Sequence, residues 1–336
     1  MTSPAFAPPP TVSILIPAHE HAPYMARCIE SIWAQEGIDP ATDLEIVVCD
    51  DASRDGTAAI LREMAARSPV PMVLMENAVN RGVCATLNRC LGRARGHWIA
   101  MIASDDMYMP RFVAANLEAA RAAGDPMVLQ QSGAWRLRPD GHSILTLPPA
   151  EPTAPCDIRR RLATGRSYVM APSIFTSRTL FDAVGGFDEG LSFEDLDFLL
   201  RASRVARFAY LREPLVIKRS LPGNLSAVGE RFFRDRLACL RKNLGDAPAL
   251  LHEAVRGDLR RLALAAGRGL DPGLWEDARR MAREFDVPAG ALLAPGLRGT
   301  AMGLARRAAG PGRLGSLRER LRRRDTAMSP DTRGPA

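Results

Sequence analysis

Three acidic clusters have the residue types and spacing that phosphate binding and proton transfer require. The first pair, Asp50-Asp51, ends the apolar run EIVVCD, and the second pair, Asp105-Asp106, follows the apolar run HWIAMIA. The third is the motif E-D-L-D beginning at Glu194, in a segment whose leucines recur at helical spacing. Open α/β sheets bind ligands beyond the carboxyl ends of their strands, which is where the first two pairs are expected.

The first two pairs suit nucleotide and metal binding, and each also has a structural interpretation. The Asp51 carboxylate can accept hydrogen bonds from a base or from ribose hydroxyls, whereas Ser53 or Asp55 could cap the following helix. The carboxylates of residues 105 and 106 are costly to bury unless a positive group neutralises them. Their hard oxygens suit Mg²⁺ or Mn²⁺ bridging a diphosphate. The alternative for this pair is capping before Pro110.

The third cluster fits a helix start as well as a catalytic role. Ser192 with Asp195 three residues later matches a capping box, and acids are favoured at helix N-termini. In the catalytic interpretation, a carboxylate here takes the proton from an attacking hydroxyl as a general base. The cluster alone does not decide between the two.

Apolar runs alternate with helical patterns about every thirty residues, the size of a βαβ unit. We predict strands over 12–17, 45–50, 71–76, 97–103 and 127–137, and helices over 24–36, 57–66 and 83–94. The segment 208–220 reads as two short strands around Pro214, and the chain beyond 230 is helical in pattern. The predicted fold class is therefore α/β, a Rossmann-like, mostly parallel sheet flanked by helices, with a helical C-terminal extension.

Composition excludes several classes of protein. The 336 residues are 46% hydrophobic and 25% charged, as in globular domains and unlike disordered or collagen-like chains. The six cysteines include no C-x-x-C pair, no apolar run reaches about eighteen residues, and the N-terminus has no secretory pattern. We therefore expect a cytoplasmic protein, alternatively one bound peripherally at the inner face of the membrane.

Five motifs in one order carry a family resemblance. They are V-S-I-L-I-P-A-H-E, E-I-V-V-C-D-D-A-S-R-D-G-T, N-R-G-V-C-A-T-L-N, I-A-S-D-D, and G-G-F-D-E with F-E-D-L-D-F-L-L-R. Together they resemble the family 2 inverting glycosyltransferases of the GT-A fold, over about residues 11–226. The resemblance implies a nucleotide-sugar donor, a metal ion (Mg²⁺ or Mn²⁺) and transfer of a hexose-like sugar with inversion.

The resemblance also assigns roles to individual residues. It implies Asp195 as the catalytic base, with Glu194 as a secondary candidate, and Asp105 and Asp106 for the metal, Asp105 also meeting the ribose and diphosphate. The residues implied for nucleotide binding are Pro17, Ala18, Glu20, Asp51, Asn80, Arg81 and Asn88.

Departures from the family pattern fall at the same positions. His19-Glu20 stands where Tyr-Asn or His-Asn is usual, and Ala103 replaces the first Asp of the common D-x-D-D. Leu221 stands where many members have the His of R-x-H, so Lys218 or Arg219 is the candidate for stabilising the leaving diphosphate.

The two ends of the chain differ from its centre in composition and net charge. We predict a flexible Pro-rich leader (1–10), the GT-A domain (11–226), a basic helical region (227–325) and a disordered tail (326–336). Residues 1–230 carry a net charge of −3 and the remainder +10. Leucines and arginines over 313–324 form a basic amphipathic helix, suited to an anionic membrane or to packing on the domain or a partner. Nucleic acid is not expected, because no aromatic residues interleave with the arginines.

These observations predict a metal-assisted glycosyltransferase of surface polysaccharide or glycoconjugate synthesis. Its partners would be a nucleoside-diphosphate sugar, with UDP favoured, and a glycan or lipid-linked acceptor. Two alternatives remain open: a binding or scaffold protein on an inactive GT-A fold, and a sugar-1-phosphate nucleotidylyltransferase. The second lacks support in the sequence, because VSILIPAHEHAP has no Gly-rich loop with Arg and Lys.

Overall fold

The computed structural model describes residues 11–148, 155–221, 230–267 and 279–286. The predicted leader, the basic helix over 313–324 and the C-terminal tail lie outside these ranges. The predicted boundary after residue 226 also falls outside them, so the predicted domain division stays a prediction. Within the described ranges, no helix is both long enough and apolar enough to cross a bilayer.

The described residues form a mixed sheet. The strands of one half are parallel to one another, and the other half contains antiparallel pairs. The strands are β1 Val12–Ala18, β2 Leu44–Asp50, β3 Met72–Glu76, β4 Trp98–Met101, β5 Met107–Tyr108, β6 Val128–Leu137, β7 Ser143–Thr146, β8 Phe175–Ser177 and β9 Arg207–Arg219. They lie in the order β3-β2-β1-β4-β8-β6-β9-β5, and β7 pairs with β6.

Helices cover both faces of this sheet. They are α1 Ala22–Trp33, α2 Pro40–Asp43, α3 Thr57–Ala66, α4 Val83–Leu91, α5 Phe112–Ala123, α6 Pro155–Ala163, α7 Arg178–Val184, α8 Asp195–Ala202, α9 Glu230–Leu244 and α10 Pro248–Gly267. Because helices lie on both sides, every residue of β2 is buried, which is why residues 46–49 are apolar without alternation. Neighbouring residues of β2 enter different cores: Val47 and Cys49 join one cluster, Ile46 and Val48 the other.

The predicted strands and helices of the first half are confirmed within a few residues, and the second half differs. The segment 208–220 is one continuous strand, β9, rather than two. Pro214 lies opposite Gly133 of β6, where the register shifts, so an irregularity absorbs the missing N–H of the proline. The apolar segment 169–177 is divided into a 3₁₀ turn at Ala171–Ser173 and the short strand β8.

Strand directions bring distant segments to one edge of the sheet. β1, β2 and β4 are parallel, and β8 is antiparallel to both β4 and β6, so β6 and β9 run in the same direction as β4. The carboxyl ends of β2, β4 and β9 therefore share an edge, and this edge receives Asp51, Asp105 and Arg219.

Backbone contacts divide the chain into two compact units, residues 1–254 and 255–336. The first unit contains the sheet and helices α1 to α9. In the second, the described residues comprise the end of α10 and a short helical segment within 279–286.

Candidate active site

The loop after β1 is bound to the loop after β2. Three backbone N–H groups of the first donate to side chains of the second at 3.0 Å: Glu20 to Ser53 Oγ, His21 to Thr57 Oγ1 and Ala22 to Asp55 Oδ2. Glu20 and Ala52 have φ values of +52° and +59°, a left-handed conformation that needs such support. Pro17 and Ala18 end β1 directly before this loop.

Neither Ser53 nor Asp55 is the N-cap residue of α3, so the capping interpretation of this segment is wrong. The N-cap of α3 is Gly56, in a left-handed conformation with no side-chain cap bond. Ser53 accepts a bond from Glu20 of the other loop instead. Asp55 accepts from the N–H of Thr57, the first residue of α3, as well as from Ala22.

Asp51 organises the loop that follows β3. Its buried carboxylate accepts from Asn77 Nδ2 at 2.7 Å and from the backbone N–H groups of Arg81 and Gly82, each at 2.8 Å. Asn80 lies in the same loop, with its Nδ2 3.1 Å from His19 Nε2. Four of the predicted nucleotide residues, at positions 20, 51, 80 and 81, thus lie on adjoining loops at one edge of the sheet.

Asn88 lies on α4 and binds the G-G-F-D-E turn, a contact that the sequence does not predict. Its amide exchanges two 2.8 Å bonds with the backbone of Phe187 and donates to Glu189 Oε1 at 3.0 Å. Glu189 in turn lies 3.8 Å from the Arg81 guanidinium. The G-G-F-D-E turn is thus attached to the predicted nucleotide side of the protein, and a nucleotide contact by Asn88 stays a prediction.

Asp105 and Asp106 are both buried in the turn after β4. Asp106 Oδ1 accepts from the backbone N–H of Arg219 at 2.7 Å. Burial, and after it the charge of Asp105, raises the pKa of Asp106 to about 8. Capping is excluded for this pair, because the N-cap of α5 is Arg111 and makes no side-chain cap bond.

The pair fits a divalent cation that is bound together with a phosphate ligand. Two adjacent buried carboxylates repel each other, and a cation between them would relieve that repulsion. Across the part of the chain that the structure describes, no group of three or more His, Cys, Asp or Glu side chains is arranged to hold a metal. Mg²⁺ commonly binds through one or two carboxylates, with water and substrate phosphates completing its shell, so the donor set at Asp105 and Asp106 fits that mode.

Glu194 and Asp195 form a second pair with perturbed acidity. Glu194 is the N-cap of α8, and Asp195 Oδ1 accepts from the Leu196 N–H at 2.6 Å. Burial, and after it the charge of Asp195, raises the pKa of Glu194 to about 7, and burial raises the pKa of Asp195. The predicted capping box is absent, because the Ser192 N–H instead donates to Asp235 Oδ2 at 3.0 Å.

Lys218, near the end of β9, connects the two acidic pairs electrostatically. Burial is the main effect on Asp106, Glu194 and Asp195 and raises their pKa values, while the Lys218 ammonium lowers all three. The charge of one side chain therefore acts on both the pair after β4 and the pair at the start of α8. The neighbouring Arg219 lies with its guanidinium carbon 5.2 Å from the Tyr24 ring centroid.

Asp197 fixes the helix that carries Asp195. Its buried carboxylate accepts from Arg201 Nε at 2.9 Å, Asn243 Nδ2 at 2.8 Å and Lys242 Nζ at 3.0 Å. Arg201 also donates to the carbonyls of the G-G turn. The sequence contained a signal for this pair, since Asp197 and Arg201 are four residues apart on one helix.

His21 is a second residue that sequence reasoning missed. Its ring contacts Ser104, directly before Asp105 and Asp106 in the turn after β4. The local sequence carries no signal for that contact, because its partner is 83 residues away.

Comparison with known proteins agrees with this architecture. Residues 13–143 match the model of a family described as Glycosyl transferase family 2. The Succinoglycan biosynthesis protein ExoO of Rhizobium meliloti is 33% identical over 215 residues, covering 61% of this chain and 59% of that protein. A Chondroitin synthase of Escherichia coli is 37% identical over 112 residues, covering 33% of this chain and 16% of that protein. The chain thus spans less than two thirds of either relative.

Solved structures show the fold. S. aureus TarS (residues 1–349) in complex with UDP-GlcNAc superposes with a TM-score of 0.65 at 17% identity, covering 84% of this chain and 82% of that one. The mannosyltransferase PcManGT of Pyrobaculum calidifontis, in complex with GDP-Man and Mn²⁺, gives 0.53 at 20% identity, covering 88% and 86%. The predicted GT-A fold and the resemblance to the family 2 glycosyltransferases are confirmed.

Proposed function

We propose that this chain, whose residues 13–143 match glycosyl transferase family 2, transfers a sugar from a nucleoside-diphosphate donor to an acceptor hydroxyl with inversion. The observation that carries the proposal is the end of β9, where the backbone N–H of Arg219 donates to Asp106 Oδ1 at 2.7 Å. The charge of the adjacent Lys218 lowers the pKa values of Asp106, Glu194 and Asp195, which supports a single site with a leaving-group side and an acceptor side.

The donor side is assigned to the loops after β1, β2, β3 and β4. Glu20, Asp51, Asn80 and Arg81 adjoin one another at the edge where α/β sheets bind nucleotides, which supports a role for them with the base and ribose. Asp105 and Asp106 would hold Mg²⁺ or Mn²⁺ against the diphosphate. When bound, the metal would act as a Lewis acid that stabilises negative charge on the departing phosphate.

The acceptor side is assigned to Asp195. An acceptor hydroxyl becomes nucleophilic as it loses its proton, and Asp195 would take that proton at its carboxylate. Burial raises the pKa of Asp195 and so brings this base closer to neutral pH, where a general base is most effective. A base on the face opposite the leaving diphosphate gives inversion at the anomeric carbon in a single displacement.

Lys218 and Arg219 have separate parts in the proposal. The Lys218 ammonium lowers the pKa values of the buried Asp106 and Asp195 and so favours their ionised forms. The same charge would stabilise the leaving diphosphate. Arg219 binds Asp106 through its backbone N–H and so joins the end of β9 to the metal side. Glu194, with a pKa of about 7, is the secondary candidate for handling the proton.

The names of the similar proteins support the choice of ligands. Structures with this fold contain UDP-GlcNAc in TarS and GDP-Man with Mn²⁺ in PcManGT, and relatives are named for succinoglycan and chondroitin synthesis. For this chain we propose a nucleoside-diphosphate sugar, UDP first, and a glycan or lipid-linked acceptor in polysaccharide synthesis. Peripheral membrane contact through residues 313–324 remains part of the proposal and lies outside the described residues.

The experiment compares wild type with Asp195→Asn. Release of nucleoside diphosphate is measured over a panel of nucleotide sugars with glycan acceptors, and donor affinity is measured separately by calorimetry. We expect the variant to lose roughly 10²–10⁴-fold in kcat while donor affinity stays within about twofold. Asp140→Asn, on the exposed β6–β7 hairpin, is the matched control and should keep full activity.

Three results would contradict parts of the proposal. Donor binding without turnover by the wild type would favour the scaffold alternative, and retention of configuration in the product would contradict the single displacement. Full activity in Asp195→Asn would remove Asp195 from the mechanism.

A further inference from the structure

The loop that carries His21 is fixed by hydrogen bonds to the loop after β2. Its backbone donates to Ser53, Thr57 and Asp55 of the neighbouring loop, and His21 is the N-cap residue of α1. These bonds leave the imidazole directed at the turn after β4, with 28% of the side chain exposed.

The imidazole contacts the residue immediately before the proposed metal ligands. His21 Nδ1 lies 2.8 Å from Ser104 Oγ and 3.9 Å from Asp105 Oδ1. Ser104 is 1% exposed, so the imidazole is a hydrogen-bond partner for a hydroxyl that water does not reach. Leaving a buried hydroxyl without a partner is destabilising, so this contact favours one fixed orientation of the Ser104 side chain.

Ser104 lies within a tight turn. β4 ends at Met101, and the N–H of Asp106 donates to the carbonyl of Ala103 at 3.0 Å, which closes the turn around Ser104 and Asp105. In so short a turn the backbone of Asp105 cannot shift independently of Ser104. Holding the Ser104 hydroxyl therefore holds the Asp105 carboxylate in place.

We propose that His21 is a positioning residue for Asp105, acting through the Ser104 hydroxyl to preorganise the site for a divalent cation with a nucleoside diphosphate. This inference rests on the proposed function of the Asp105-Asp106 pair. It assigns the imidazole a hydrogen-bonding part rather than that of a metal ligand, because Nδ1 lies at hydrogen-bond distance from Ser104 Oγ, 2.8 Å, and farther, 3.9 Å, from Asp105 Oδ1. His19, two residues earlier, has a different neighbour, Asn80.

The experiment separates hydrogen bonding from coordination by the choice of substituents. His21→Asn places an amide at the δ position, where it can still bond Ser104, whereas His21→Ala cannot. The Mn²⁺ concentration giving half-maximal binding is measured by calorimetry in the presence of saturating UDP or GDP, whichever the wild type binds. His142→Ala is the matched control, since His142 is 83% exposed at the β6–β7 hairpin. Ser104→Ala and the double variant His21→Ala/Ser104→Ala complete a thermodynamic cycle.

We expect His21→Ala to raise the Mn²⁺ midpoint by roughly 10-fold, the lower range for residues that orient metal ligands, and His21→Asn to stay within about threefold. In the Ser104→Ala background the loss of His21 should add less than about twofold, because the two act through one bond. An unchanged midpoint in His21→Ala, or additive effects in the cycle, overturns the inference and leaves the proposed function intact. Equal losses in His21→Ala and His21→Asn also overturn it, in favour of direct coordination. No Mn²⁺-dependent nucleotide binding by the wild type overturns both.

Discussion

Replacing Asp197 with alanine should destabilise the fold strongly, because this carboxylate joins α8 to α9 inside the protein. Asp197 is 1% exposed and Arg201 is 16% exposed, so their 2.9 Å pair is almost fully removed from water. Lys242 at 3.0 Å is 44% exposed, and its contribution is correspondingly small. Asn243 loses a 2.8 Å hydrogen bond.

The magnitude follows from these exposures. Removing one partner of a buried ion pair costs about 3–5 kcal/mol, since the other charge is left uncompensated. Arg201 keeps its bonds to the carbonyls of Gly185 and Gly186, which places its share near the lower end of that range. The lost Asn243 bond adds about 1 kcal/mol, and solvent screening limits the Lys242 pair to less than about 1 kcal/mol. We expect a total of about 4 kcal/mol and a fall in Tm on the order of 10 °C.

Urea unfolding followed by circular dichroism measures the effect, with the slope m serving as a check that both states stay comparable. Asp188→Ala is the control. Asp188 pairs with the same Lys242 at 2.6 Å but is 31% exposed, so its removal should cost less than about 1 kcal/mol. A loss below about 1 kcal/mol in Asp197→Ala, or one equal to that of Asp188→Ala, would refute the assignment of Asp197 as the buried anchor of α8.

Two further predictions concern the same part of the molecule. Lys218→Met should move the acid limb of the kcat–pH profile to higher pH, because loss of the cation raises the pKa of Asp195 and the base must be deprotonated. Lys218→Arg should leave the limb in place, and an unshifted limb in Lys218→Met would contradict the effect of Lys218 on Asp195. Gly186→Ala should cost about 1–3 kcal/mol in urea unfolding, because the added Cβ would lie 2.5 Å from Asn88 Oδ1 and displace its bond to Phe187. A neutral effect of Gly186→Ala would show that the turn gives way freely.

Much of the first half of the fold could be predicted from the sequence, for a physical reason. Strands buried on both faces are continuous apolar runs, and residues 14–17 of β1 and 46–49 of β2 follow that rule. The polar residues Ser13 and Glu45 at the beginning of these strands bond each other at 2.6 Å. Because parallel strands end at a common edge, acids placed after such runs identify the edge on which a site is built. Asp51 and Asp105 lie at that edge.

The interactions that complete the candidate site depend on partners far apart in the chain, so local sequence patterns do not predict them. The position of Ser53 shortly before α3 is typical of a helix cap, yet its hydroxyl oxygen accepts from the N–H of Glu20, 33 residues away. Asn88 binds Phe187, which is 99 residues away, and no local sequence pattern predicts that contact. The single strand β9 depends on the irregularity opposite Pro214 in β6, which the sequence of β9 alone does not contain.

The most direct test of the account is nucleotide binding at the Asp105-Asp106 pair. Thermal shifts are measured with UDP, GDP, TDP and CDP, each with and without Mn²⁺, on wild type and on Asp106→Ala, with Asp140→Ala as the control. A ligand that binds only the folded state raises Tm by an amount that increases with the ratio of its concentration to its Kd. We predict a Mn²⁺-dependent rise with one nucleotide in the wild type and the control, and its loss in Asp106→Ala. No shift with any nucleotide, or an equal shift in Asp106→Ala, would contradict the central claim that this pair holds a metal and a nucleoside diphosphate.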